Sequence, residues 1–135
     1  MHLPTRSVIR EVYRRQLRQY GSEADQNLDL DDVKLGAALA WPRMMITANK
    51  SVDLFELVSS LFTGVLSEQP APKGNASLAM ALAMITLRRN GLMLDVSNEE
   101  VAEFFNDLAT EQHTEQSLIG YFQKNAIPFQ FKSTV

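Results

Sequence analysis

The run Leu78–Leu87, LAMALAMITL, most constrains what this chain can fold into. It carries no charge and is rich in Ala, Leu and Met, which favour helix. A helix apolar almost all the way round has to be enclosed by other elements. The run therefore demands a helical core with a buried central helix over about residues 78–90. Its borders are marked as well. Arg88 and Arg89 suit the negative end of a helix dipole, and Asn90-Gly91 is a left-handed helix stop. Upstream stands the proline-rich stretch Gln69-Pro70-Ala71-Pro72-Lys73, followed by Gly74-Asn75 where the helix starts. Free backbone N–H groups at such a start attract anions. The plainer role for Asn75 is a helix N-cap, with Gly74 allowing the turn before it.

Helical periodicity recurs along the rest of the chain. Thr5 caps a first helix, Arg6 to Tyr20, whose apolar residues Val8, Ile9, Val12, Tyr13, Leu17 and Tyr20 recur at three- and four-residue steps. A polar loop, Ser22–Asp29, precedes a short helix from Val33 to Ala40, capped by Asp29 or Asp31 and ended with the help of Pro42. Residues 43–50 read as a connector or one arm of a short hairpin. Ser51 caps a helix from Val52 to Ser67; Ser97-Asn98-Glu99-Glu100 is a capping box opening another to Ala109; Thr114 caps a last helix, Glu115 to Asn125. The tail Ile127–Phe131 alternates like a short strand or a docked extension. The expected architecture is all-α, one domain over residues 1–135.

Composition narrows the function classes. The absence of cysteine excludes thiolate catalysis and Cys-based zinc sites, and His2 and His113 show no metal-ligand spacing. A net charge of -3 argues against non-specific nucleic-acid binding by the whole molecule. No apolar run has membrane-spanning length, and the start of the chain lacks a signal-peptide core, so a cytoplasmic protein is expected.

The segment from Gln69 to Gly91 resembles the Fic/Doc family, most closely its death-on-curing branch. The family signature is H-x-F-x-[D/E]-G-N-x-R opening a central helix, which in Doc-type proteins ends in LRRNG. This chain has Leu87-Arg88-Arg89-Asn90-Gly91 and, at the matching distance upstream, Gly74-Asn75. Tyr20-Gly21 ending the first helix and Asp53-Leu54-Phe55-Glu56 opening a later one extend the likeness over most of the chain. The resemblance implies a helical bundle around the central helix. It also implies that the chemistry is gone. Gln69 stands where the family has its histidine, the general base, and losing such a base costs about 10²–10⁴-fold in rate. Ala71 replaces the phenylalanine that anchors the loop, and Lys73 replaces the acid that helps hold Mg²⁺. A lysine ammonium about 4 Å from Mg²⁺ would be repelled by roughly 8 kcal/mol at an effective dielectric of about 20. Lys73 must swing away or the metal does not bind. Ser77 replaces the phosphate-gripping arginine. The expectation is no catalytic residue, no metal and no resident cofactor, with Lys73, Gly74 and Asn75 as the candidates for any residual anion or nucleotide binding.

Two other groups stand out. Arg6, Arg10, Arg14 and Arg18 recur every fourth residue, with Arg15 beside them. They form either a solvated helix face or a surface for an acidic or phosphate-bearing partner. Trp41 beside Pro42 reads first as a core anchor and otherwise as part of a partner groove; the adjoining Met44-Met45 would suit a partner peptide. The leading reading is a catalytically inactive Fic/Doc-like protein that binds a protein partner, an acidic segment among the candidates. Its setting is the bacterial cytoplasm or, for a phage-encoded protein, the host's, in a toxin–antitoxin or mobile-element context. The alternatives are a Fic-type transferase of AMP or phosphate with a rearranged site, and a nucleic-acid-associated regulator using the basic first helix.

Overall fold

The computed structural model describes residues 2–49, 51–110 and 115–129. His113, the expected cap Thr114 and the far end of the tail lie outside them. Helices α1 (Arg6–Tyr20), α2 (Asp32–Ala48), α3 (Leu54–Glu68), α4 (Asn75–Arg89), α5 (Asn98–Thr110) and α6 (Glu115–Asn125) account for most of the chain. A 3-10 turn, Glu23–Asp25, interrupts the polar loop after α1. Strands β1 (Leu92–Leu94) and β2 (Ala126–Pro128) pair antiparallel, Met93 opposite Ile127. The tail's alternation is thus a strand over its first residues. The fold is an all-α bundle with this one small sheet.

The bundle is built around one continuous apolar core to which all six helices contribute. The centre is shared by α4 and α3. Leu78, Ala79, Met80, Leu82, Ala83, Thr86 and Leu87 are buried on α4. On α3 every residue from Leu57 to Phe62 is buried, because this helix is covered by α2, α4 and α6 together. Phe62 is fully enclosed, its ring 6.0 Å from that of Phe104 on α5 and 5.9 Å from that of Phe122 on α6. Tyr121 of α6 stacks on Phe104 at 4.1 Å, which fastens α5 to α6.

The cap chemistry explains most of the helix ends. The Thr5 hydroxyl accepts from Val8 N–H, Asp31 from Lys34 N–H and Ser97 from Glu100 N–H. At α3 the cap is Asp53, whose carboxylate accepts from both Phe55 and Glu56 N–H groups; Ser51 lies outside the helix.

The largest departure from expectation is α2. It does not stop near Pro42 but continues through it to Ala48, so no hairpin forms over the described part of residues 43–50. Pro42 is buried and has no N–H to give the Ala38 carbonyl four residues earlier. That carbonyl faces Gly64 of α3, so close that a Cβ on Gly64 would sit 2.6 Å from its oxygen. The missing side chain lets α3 close over the stretch that Pro42 interrupts. Tertiary contact, not local propensity, carries the helix past the proline. Trp41 is not a core anchor: it is 60% exposed on the outer face of α2, and Met44 is 57% exposed. Tyr20, expected on the apolar stripe of α1, is also exposed, since only Ile9, Tyr13 and Leu17 of that helix are buried.

Among the described residues no helix is long and apolar enough to cross a membrane.

Candidate functional site

The loop between α3 and α4, where the resemblance places catalytic groups, is tied down from end to end. Gln69 ends α3 in the left-handed conformation, φ 49° and ψ 61°, its N–H donating to the Val65 carbonyl. Glycine is the usual residue there, and a side chain costs about 1 kcal/mol or more. Pro70 and Ala71 turn inward and are buried. The Pro70 carbonyl accepts from Asp31 N–H at 2.8 Å, which fixes the loop to the start of α2.

Asn75 does not cap α4. It is the first helical residue, Gly74 occupies the cap position at φ 78°, and the Asn75 amide turns back into the loop. Its Oδ1 accepts from Ala71 N–H and its Nδ2 donates to the Ala71 carbonyl, both at 2.9 Å. One side chain thus satisfies both polar groups of a buried loop residue. Asn75→Ala is expected to cost about 1–3 kcal/mol, because it strands two part-buried groups. Urea unfolding measures the loss, and faster hydrogen exchange at Ala71 would place it in the loop.

Helix α1 holds the other half of the loop. The Tyr13 hydroxyl donates to the Lys73 carbonyl at 3.0 Å, and Gln16 Nε2 donates to the Gly74 carbonyl at 3.1 Å. Burial pushes the Tyr13 phenol above its ordinary pKa. A Cβ on Gly74 would meet only the movable end of the Gln16 side chain, so it is the left-handed conformation, φ 78°, that calls for glycine. The Lys73 side chain is engaged by the 3-10 turn: its Nζ lies 2.7 Å from Asp25 Oδ2. Asp25 also accepts from Ser22 N–H at 2.9 Å. The Lys73 hydrogen bond, with that from Ser22 behind it, holds the Asp25 carboxyl below the usual carboxylate range.

The sign of the pH effect follows. A carboxyl whose folded pKa is depressed contributes stability that is present above its unfolded pKa, about 3.9. That contribution is lost as pH falls through the folded value. Asp25→Asn is expected to shrink the fall in Tm between about pH 5 and about pH 3, read from thermal melts across that range.

The three positions where the resemblance expects chemistry do not converge. Gln69 lines an open cleft of ≈ 350 Å³ with Asp29, Asp31 and Lys34. Ser77 lines a separate groove between α1 and α4, with Gln16, Gln19 and Tyr20. Lys73 sits against Asp25. Among the described residues no group of three or more His, Asp or Glu side chains is placed to hold a metal ion.

The arginine stripe is mostly engaged within the molecule. Arg10 forms an ion pair with Asp32 and lies 3.7 Å from Asp29, and Arg6 reaches the Asp32 carbonyl at 3.1 Å. Both fasten α1 to the start of α2. Arg15 and Arg18 share Glu11 Oε1, each at 3.3 Å. Arg14 alone of the stripe makes no ion pair among the described residues; with Arg18 it lines a cleft that includes Gln26 and Asp29. At the end of α4, Arg88 lies 5.2 Å over the ring of Phe129.

A further cleft, ≈ 390 Å³ between α5 and α6, did not emerge from the sequence reading. Glu100, Glu103 and Asp107 line it with Lys124 and Tyr121. Its signal in the sequence is the spacing of those three acids on one face of α5.

No protein-family model matches this chain, and no curated protein matches it.

Proposed function

We propose that the protein is a catalytically inactive member of the Fic/Doc fold that acts as a protein-binding module. The observation that carries this reading is the use made of Lys73. Its ammonium is held by Asp25 and its carbonyl by Tyr13, so the residue in place of the metal-binding acid serves the fold. Gly74 and Asn75, which do match the family signature, are also spent on shape. Glutamine at position 69 cannot take a proton near neutral pH. The serine at 77 offers no charge to a phosphate. On this reading neither Mg²⁺ nor a nucleotide is a resident cofactor.

The partner surface is the outer face of α2 around Trp41, Met44 and the half-buried Met45. The basic face of α1 is the weaker candidate, because Arg10 and Arg18 already have carboxylates and only Arg14 of the three has none among the described residues. This also lowers the case for a nucleic-acid regulator and for an acidic protein segment held by α1. The protein would work in the cytoplasm of a bacterium, or of a phage's host.

Incubation of the full chain with Mg²⁺, candidate protein hydroxyl substrates and ATP labelled at either the α or the γ phosphate tests the catalytic half of the proposal. No label on any protein is expected. Metal-dependent label that disappears on Asn75→Ala would establish the rival reading, a transferase with a rearranged site.

A further inference from the structure

The outer face of α2 is apolar along its length. Val33, Ala37, Ala40, Trp41, Met44 and Ala48 recur at three- and four-residue steps, and all six are exposed. Val33 is 83% exposed, and with Trp41 and Met44 it forms one stripe, not a scatter. The opposite face of the same helix is also apolar, with Leu35, Ala38, Leu39 and Pro42 buried against α3. A helix apolar on both faces is built to be covered on both.

The order of large and small residues says by what. Two copies of α2, set antiparallel about a two-fold axis between Ala40 and Trp41, place Ala40 opposite Trp41, Ala37 opposite Met44 and Val33 opposite Ala48. Each large side chain meets a small one, which is what close helix packing needs. A parallel pairing would put Trp41 on Trp41 and alanine on alanine, leaving voids between them. The antiparallel register also sets Lys34, at the edge of the stripe, opposite Thr47, so it brings no like charges together. A face about 25 Å long and about 10 Å wide offers roughly 250 Å² per copy. That is below the roughly 800 Å² per partner of a standard stable interface, so the association is weak and reversible.

We infer that a second copy of this chain docks on the outer face of α2, the two helices antiparallel about an axis between Ala40 and Trp41. The inference rests on the reading above that this face binds protein, and names what it binds. It is independent of whether the chain transfers label from ATP.

Sedimentation equilibrium of the full chain from about 1 μM to about 1 mM spans the affinities such a surface allows. A monomer–dimer equilibrium is expected. Trp41→Ala is expected to raise its dissociation constant about 30-fold or more, and Arg14→Ala to leave it unchanged. Circular dichroism of both variants verifies that the helices remain. Trp41 is the single tryptophan, so its emission should move to the red as the wild-type dimer is diluted. Register is tested by cysteine, which the chain lacks. Mixed Ala37→Cys and Met44→Cys variants should cross-link to each other under mild oxidation and not to themselves, because like positions lie too far apart to bridge. A monomer at every concentration, a dimer indifferent to Trp41→Ala, or cross-linking of position 37 to itself would each overturn the inference.

Discussion

Replacing Phe62 with alanine is expected to cost about 3–5 kcal/mol, the range for deleting a fully buried aromatic ring. Domains are generally stable by only about 5–15 kcal/mol, so this one change removes a large share of the margin. The reason lies in the position of the ring. Phe62 is on α3, the helix covered on three sides, and it meets Phe104 of α5 and Phe122 of α6 within 6.0 Å. Removing it opens a cavity where three helices meet, and the surrounding rings are too rigid to fill the space. Urea unfolding should show the loss as a lowered midpoint. The Phe104–Tyr121 stack, which does not depend on Phe62, should keep α5 against α6 at low denaturant.

Gly64→Val is expected to destabilise by about 3 kcal/mol or more, through contact and not through conformation. Gly64 lies within a helix, where replacing glycine by alanine normally gains about 1 kcal/mol. Here the sign reverses. A Cβ would press to 2.6 Å from the Ala38 oxygen, a backbone atom that no rotamer change can move away. Gly64→Ala should therefore destabilise as well, despite its better helix propensity, and Gly64→Val more. If Gly64→Ala raised Tm in thermal melts, the close approach of α3 to α2 at the proline would be wrong.

These two positions show which parts of the fold can be read from sequence. The bounds of α1, its Thr5 cap, the Ser97 cap of α5 and the end of α4 follow from local chemistry, and the structure has them where that chemistry puts them. Pro42 misleads because its local effect is to break helices, while the contact that overrides it comes from Gly64, far along the chain. Trp41 misleads for a related reason. A lone tryptophan beside a buried proline suggests the core, but helical rotation carries adjacent residues to different faces, and α3 covers only one of them.

At the candidate site the limits were of the same kind. The resemblance singles out the residues at 69, 73 and 77. The contacts they make are not legible in it. The hydrogen bond of Lys73 to Asp25 spans 48 residues, and that of Tyr13 to the Lys73 carbonyl spans 60. Nor does anything in the pair Gly74-Asn75 reveal that its side-chain amide points back to Ala71 and leaves the helix start uncapped. The arginine stripe reads in sequence as a free basic face, because its partners, Asp29 in the loop before α2 and Asp32 at its start, reach α1 only in the folded chain.

On the proposed function the segment Gln69–Gly91 holds neither Mg²⁺ nor a nucleotide, and calorimetric titration of the full chain with ATP, with and without Mg²⁺, puts this to the test. No saturable heat that depends on the metal is expected. A metal-dependent, saturable heat that is abolished by Asn75→Ala in a still-folded protein would contradict it.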